Sequence, residues 1–331
     1  MFKAATIKDI ALALSVSPST VSRALRDSHE IGAKTKKTIL DYATKINYHS
    51  NPIALSLRNK QSYSIGVMVA DVANSFFAQT INGIESVAYK NGYNIIISQS
   101  HDSYERELVN IEHLANRSVD GLLISMSAQT TDYSHIADLH HKGLPIVFFD
   151  RIVDTIDTYK VTTDNFKASY DATNLLLSKG YGRIAHLANA PHLSITIERL
   201  NGYKKALQEH GVELNEDLVS YCHAGGRDKQ EVEAEIKKLL NYQPDAMFIA
   251  SDRLSTASLR AFKKLPAHLN LPIIGFSNSD VIDLLHPQIS IVRQRAFEMG
   301  EIAAEMLIKI ITSKFPIEDF ETRLLDAELQ W

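Results

Sequence analysis

The sequence predicts an α/β protein: a small helical head followed by a large body of two open, doubly wound α/β lobes. Three observations carry that reading. The first 62 residues are basic and the rest acidic; residues 6–26 spell two short helices joined by a tight turn; and from Ser64 onward apolar runs of strand length alternate with helical stretches, in two successive series. The 331 residues, 45% hydrophobic and 22% charged, have room for two or more cores and exclude a disordered or fibrous chain.

Charge divides the chain sharply. Residues 1–62 hold ten Lys or Arg against four Asp or Glu, a net of +6, while the remainder, with 25 basic and 35 acidic residues, is −10. A polyanion-binding head on a body that does not bind polyanions is the arrangement this implies. No apolar run reaches the roughly 18 residues of a membrane span, and Met1–Thr6 lacks the apolar core of a secretory signal, so a cytoplasmic chain is expected. Cys222 is the only cysteine, which excludes an intrachain disulfide and a cysteine-based metal cluster.

In the head, residues 1–49, Thr6-Ile7-Lys8-Asp9 reads as a capping box, and Ile7, Ile10, Ala11 and Leu14 follow at helical spacing. Leu14-Ser15-Val16 makes a tight connection. Ser17 then caps a second helix with Pro18 at its first position and Val21, Ala24 and Leu25 on its inner face, leaving Pro18, Ser19, Ser22, Arg23 and Arg26 outward. Two such helices form a helix-turn-helix reader of the major groove. A third helix from about Ala33 buries Ile39, Tyr42, Ala43 and Ile46. Lys34, Lys36 and Lys37 in its first turn oppose the helix dipole, at about 0.3–1 kcal/mol each. Beside a helix-turn-helix, phosphate contact is the reading that explains them.

Residues 50–62 form the joint. Asn51 is a good N-cap, Pro52 suits the first helical position, and Ile53 to Leu57 carry apolar character. The helix lasts only about two turns, and isolated helices shorter than roughly 12–15 residues are marginal in water. It is expected to form only against a partner, as a switch between head and body.

In the body, residues 63–331, strand runs are expected at Ile65–Val69, Asn94–Ser98, Gly121–Ser125 and Pro145–Phe149, then at Val161–Thr163, Ile184–Ala188, Leu218–Cys222, Ala246–Ala250 and Pro272–Gly275. Helices such as Phe166–Lys179 and Gln230–Tyr242 separate them. An amphipathic helix, Arg293–Ile311, and an apolar stretch, Arg323–Leu329, close the chain. The first lobe is expected over about 63–161 and 292–320, the second over about 162–291 and 321–331. Ligands of such sheets bind beyond the strand carboxyl ends, so a cleft between facing lobes is expected. No Gly-x-Gly-x-x-Gly follows the first strand, no phosphate-loop lysine motif appears, and no His-Glu-x-x-His occurs among the 13 histidines. Ala224-Gly225-Gly226 is too little to cradle a phosphate, and His140-His141 reads as a solvated pair. No enzyme, cofactor or metal site is expected.

The segments Thr6–Ala11, Val16–Leu25 and Tyr48–Leu57 together resemble the LacI/GalR family of bacterial transcriptional regulators. Ser15 departs from the Gly common in that turn. The resemblance implies a periplasmic-binding-protein-like body and a homodimer, most readily a repressor, on a palindromic operator. Hinge helices would push Leu57 into the minor groove, and wedges of this kind kink DNA by roughly 20–90°. The expected DNA-facing set is Thr6, Ser17, Pro18, Ser19, Thr20, Ser22, Arg23, Lys34, Lys36, Asn51 and Leu57. For the effector, a small polar molecule of the saccharide or sugar-metabolite kind, the expected positions are Phe76, Phe77, Ser127, Asp150, Arg199, His223, Asp252 and Ser277. Ser277 stands where many sugar-responsive members carry Asp. The rival readings are a solute-binding protein of a transport system, an enzyme on the same lobes, and a regulator whose co-regulator is a phosphocarrier protein. The first predicts a secretory signal and no basic head, and both predictions fail in this sequence.

Overall fold

The computed structural model describes residues 5–48, 61–117, 119–264, 271–284 and 289–331, and the chain divides into two compact units at Ser62/Tyr63. The expected hinge helix, with Asn51 and Leu57, lies outside the described residues.

The head contains α1 (Ile7–Ala13), α2 (Pro18–Ala24) and α3 (Ala33–Lys45). Its capping box is made: the Thr6 N–H donates to Asp9 Oδ2 at 2.8 Å, and the Asp9 N–H returns to Thr6 Oγ1 at 3.3 Å. Ser15 adopts φ +53°, the left-handed conformation that the tight turn demands and that glycine would reach more cheaply. Ser17 Oγ accepts from the Thr20 N–H at 3.1 Å and starts α2. Ile10, Ala11, Val21, Ala24, Ile39 and Ala43 are buried together, with Ile7, Leu14, Leu25, Tyr42 and Ile46 packed around them. Because so small a core leaves little reserve, Ser17→Ala is expected to lower the head's stability by about 1 kcal/mol. Urea denaturation followed by helical circular dichroism reads that loss, and an unshifted head transition would show the cap to be idle.

The body holds two sheets of the same plan. In the first, the order is β11 (Thr322–Leu325), β5 (Lys160–Thr163), β4 (Ile146–Phe149), β3 (Gly121–Ile124), β1 (Ser64–Val69), β2 (Asn94–Gln99), all parallel. In the second it is β12 (Glu328–Gln330), β10 (Ser290–Arg293), β9 (Ile273–Phe276), β8 (Ala246–Ile249), β6 (Ile184–Asn189), β7 (Val219–Cys222), parallel except for the β10–β12 pair. The helices alternate with the strands: α4 (Ser75–Lys90), α5 (Tyr104–Asn116), α6 (Ser134–His141), α7 (Asn165–Ser178), α8 (Ser194–Glu209), α9 (Lys229–Asn241), α10 (Asp252–Phe262) and α11 (Ala296–Thr312).

Three lobe boundaries differ from the sequence-based expectation. The first lobe runs through β5 to Thr163 and takes β11, because Arg323 pairs with Val161 and Leu325 with Thr163. Residues 290–293 form β10 of the second sheet, so Arg293 ends a strand rather than starting a helix, and α11 begins only at Ala296. The described chain therefore crosses between lobes near Asp164, Gln294 and Asp326.

Glycine fixes how the helices meet. In the first lobe α4 and α11 pack backbone to backbone: a Cβ on Gly300 would overlap the Thr80 carbonyl oxygen, and one on Gly83 the Phe297 carbonyl oxygen. Gly202 does the same for α8 against α7 at the Phe166 carbonyl. Gly300→Ala must wedge two buried helices apart and is expected to cost about 1–3 kcal/mol. The urea midpoint of the body measures it; an unchanged midpoint would mean that the two helices separate freely.

Candidate functional site

The carboxyl ends of strands from both sheets converge on one cleft with a cavity of about 50 Å³. Five of the eight side chains expected there line it: Phe76, Phe77, Asp150, Arg199 and Asp252. Phe76 and Phe77 occupy the first turn of α4, where Asn74 Oδ1 accepts from both N–H groups at 3.0 and 3.3 Å and orients the turn. Their rings meet edge to face at 5.2 Å. Asp150 follows β4 at φ +58°, with Ser125 Oγ 3.4 Å from its carboxylate. Burial pushes its carboxyl above the ordinary value, against the opposing charges of Arg151 and Arg199.

Arg199 reaches in from α8 and is almost wholly enclosed. Its Nε donates to Asn165 Oδ1 at 2.8 Å, its Nη1 to the Ala250 carbonyl at 2.6 Å, and its guanidinium lies 3.7 Å over the Phe276 ring. Burial lowers it to about 10, with Asp150 and Glu198 pulling the other way, so it remains a cation at neutral pH. Asp252 opens α10 and is held near Ser277 Oγ at 3.4 Å. Burial raises its carboxyl, opposed by the N–H groups of Asn278 and Phe76.

The other three expected positions are not in the cleft wall. Ser127 is buried behind it, its N–H donating to Glu107 Oε2 at 2.6 Å and its hydroxyl paired with Thr130 at 2.6 Å. His223 is exposed, and its N–H goes to Glu231 Oε1 at 2.7 Å. Ser277 stands one layer back, behind Asp252. Strand-end position alone does not set the direction of a side chain, and these three point away from the cleft.

Sequence reasoning also missed residues. Asp102 and Arg151 form a buried ion pair in the wall; burial works against the Asp102 charge, but Arg151 and Arg227 hold its carboxyl down to about 2. From the second lobe Arg227 crosses to Asp102 at 3.3 Å, Asp71 at 3.5 Å and the Ala70 carbonyl at 3.1 Å, and Arg253 pairs with Asp71. Two further bridges join them: Gln79 and Asn278 exchange hydrogen bonds at 3.0 and 2.8 Å, and His192 Nε2 meets the Ala128 carbonyl at 2.7 Å. A usable signal existed for two of these. Arg151 and Arg253 directly follow the acids Asp150 and Asp252 that the strand-end rule had already picked out.

On the head, Pro18, Ser19 and Arg23 are exposed on α2, and Lys34 on α3. Ser17 Oγ lies 2.8 Å from both Ser19 Oγ and Thr20 Oγ1, while Arg26 Nη2 donates to Ser22 Oγ at 2.9 Å. Arg23 reaches Glu30 at 3.1 Å and Lys36 pairs with Asp27. The first pair is half-exposed on both sides, so it is weak and leaves Arg23 available to another acceptor.

A basic helix-turn-helix head on a two-lobed body with a polar cleft defines a DNA-binding regulator of the ligand-responsive kind. Residues 6–51 match the profile of bacterial regulatory proteins of the lacI family, and residues 62–315 that of the periplasmic binding proteins and sugar binding domain of the LacI family. The chain belongs to the LacI family of bacterial transcriptional regulators. It is 29% identical over 317 residues to catabolite control protein A of Priestia megaterium, covering 93% of each chain. It is 29% identical over 327 residues to the ribose operon repressor of Haemophilus influenzae, covering 97% of this chain and 96% of that one. Among solved structures it resembles the lac repressor dimer bound to operator and an anti-inducer, at TM-score 0.80 and 21% identity over 99% and 98% of the two chains. It also resembles a LacI-family regulator of Enterococcus faecium with bound ribose, at TM-score 0.69 and 26% identity over 81% and 97%. Among the described residues no helix is long and apolar enough to cross a membrane.

Proposed function

We propose that this chain is a cytoplasmic, homodimeric repressor that reads a palindromic operator and responds to a small saccharide held between its lobes. The observation that carries the effector half is the convergence of Phe76, Phe77, Asp150, Arg199 and Asp252, drawn from both lobes, on one cleft. Aromatic faces cover the C–H side of a sugar ring, and carboxylates and guanidinium bond its hydroxyls. The ribose-bound relative supports the same class of ligand. No role in this scheme requires bond-making chemistry, and none of these residues is proposed as catalytic.

For DNA, α2 enters the major groove with Pro18, Ser19 and Arg23 toward the base edges. Ser17, Thr20 and Ser22 support that surface, while Thr6, Lys34 and Lys36 meet phosphates. Asn51 and Leu57 act through the segment 50–62, folding on the operator. The lobes pivot at the crossings near Asp164, Gln294 and Asp326, so a ligand that favours one lobe arrangement shifts the equilibrium felt by that segment.

Selection of bound sequences from random duplexes tests the whole scheme, at two salt concentrations and with and without a mixture of neutral sugars. An enriched palindrome with steep salt dependence that weakens or strengthens with the sugars is the expected result. Unselective binding that ignores them would overturn it.

A further inference from the structure

The charges around the cleft are balanced before any ligand is added. Arg151 and Arg227 hold Asp102, Arg227 and Arg253 hold Asp71, and Arg199 lies in the field of Asp150. Every guanidinium is thus committed to the protein, and Arg151 and Arg199 each donate to a backbone carbonyl as well. Glu198, half-buried and hydrogen-bonded to Asn165, adds one more acidic group beside Arg199.

Asp150 and Asp252 line the wall as acceptors, and Arg151, Arg199 and Arg253 line it as donors already paired with protein groups. A hydroxyl suits both kinds of group, since it donates and accepts. A phosphate or carboxylate only accepts, and it would bring charge toward Asp252 and Asp150.

Building on the effector reading above, we infer that the cleft selects an uncharged, hydroxyl-rich ring and excludes phosphorylated or carboxylated sugars, and that Arg227 and Arg253 form a clasp between the lobes rather than an anion site. An anion could use those two arginines only by drawing them from Asp71 and Asp102, leaving Asp71 without its counter-charges and Asp102 with Arg151 alone. A neutral ring leaves the clasp intact, and closing the lobes over it keeps both ion pairs. The clasp therefore adds to the affinity for neutral ligands and opposes charged ones.

The test is calorimetric titration of the purified full-length protein with neutral aldoses, ketoses and glucosides, each beside its phosphate monoester and its uronic acid. A neutral member is expected to bind at least about 100-fold more tightly than its own phosphate or acid. Arg227→Met is expected to weaken the neutral ligand by about ten-fold through loss of the clasp, and not to change the ranking. Asp252→Asn, of equal size, is expected to weaken the neutral ligand while the thermal midpoint stays near that of the parent. A phosphate or acid that binds as tightly as its neutral parent, or that loses affinity in Arg227→Met while the neutral ligand does not, overturns this inference and leaves the effector reading standing. Binding by no member of either set overturns both.

Discussion

Replacing Arg199 with methionine is expected to remove about 3–5 kcal/mol from the stability of the body and to abolish the effector binding proposed above. The size follows from what the guanidinium holds. It is buried, it satisfies Asn165 Oδ1 and the Ala250 carbonyl, it lies on the Phe276 ring, and it offsets the charge of buried Asp150. Methionine keeps some of the volume and none of the donors. Lysine is no substitute, because a single ammonium cannot serve Asn165 and Ala250 in the fixed fork that Arg199 offers.

Two further signatures separate this account from simple loss of packing. Asp150 has a raised carboxyl pKa, so its ionised form is disfavoured in the fold, and that penalty grows as the pH rises. Without Arg199 the penalty is larger, so the deficit is greatest at neutral pH. It shrinks as the pH falls into the ordinary carboxylate range. Asp150→Asn in the Arg199→Met background is accordingly expected to restore part of the loss, a coupling of the two sites. Urea titration of the four proteins of that cycle measures it. Strict additivity, or a deficit that does not change with pH, would show that Arg199 acts only as bulk.

How far the sequence disclosed all this depends on whether the cause was local. The head was legible because capping and helical period are properties of neighbours in the chain: Thr6 with Asp9, Ser17 with Thr20, and Val21 with Ala24 all act within one turn. Most strand cores were legible for a related reason, since buried parallel strands are continuous apolar runs, as in Ile184–Ala188. The lobe boundaries were hidden because they depend on pairing over long range. Nothing local tells Thr322–Leu325 to join β5, about 160 residues back, rather than β10 close by. In the cleft the sequence could place acids and aromatics at strand ends, yet Ser127 and Ser277 turn into the protein and His223 out to solvent. The clasp was invisible for a further reason. Arg227 and Arg253 meet Asp71 and Asp102 only once two separately folded lobes face each other.

His186→Phe is expected to stabilise the protein, and increasingly so as the solution is made acidic. His186 lies in the middle of β6, completely buried, stacked 4.9 Å from the Tyr203 ring and 5.1 Å from Phe248, with both ring nitrogens lacking a hydrogen-bond partner. Burial, helped by the charges of Arg199 and Lys204, lowers its pKa to about 3. Between about 6.5 and that value the unfolded chain binds a proton at this position that the folded chain refuses. Stability is therefore intact above pH 6.5 and is lost as the pH falls, by about 1.4 kcal/mol per pH unit from this group alone. Other groups titrate in the same range with the opposite sign: Asp150, Glu198 and Asp252 have raised carboxyls, and their protonation favours the fold as the pH drops. Asp102, held at about 2, releases its stabilisation only at lower pH. Those terms cancel when the variant is compared with its parent at each pH. The phenylalanine ring is larger but leaves no unpaired nitrogen, and the balance is a gain of about 1 kcal/mol at neutral pH. Thermal midpoints of the two proteins, followed from neutral pH down to about pH 4.5, should run parallel above pH 6.5 and diverge below it. Curves that stay parallel throughout would mean that His186 takes up its proton inside the folded protein.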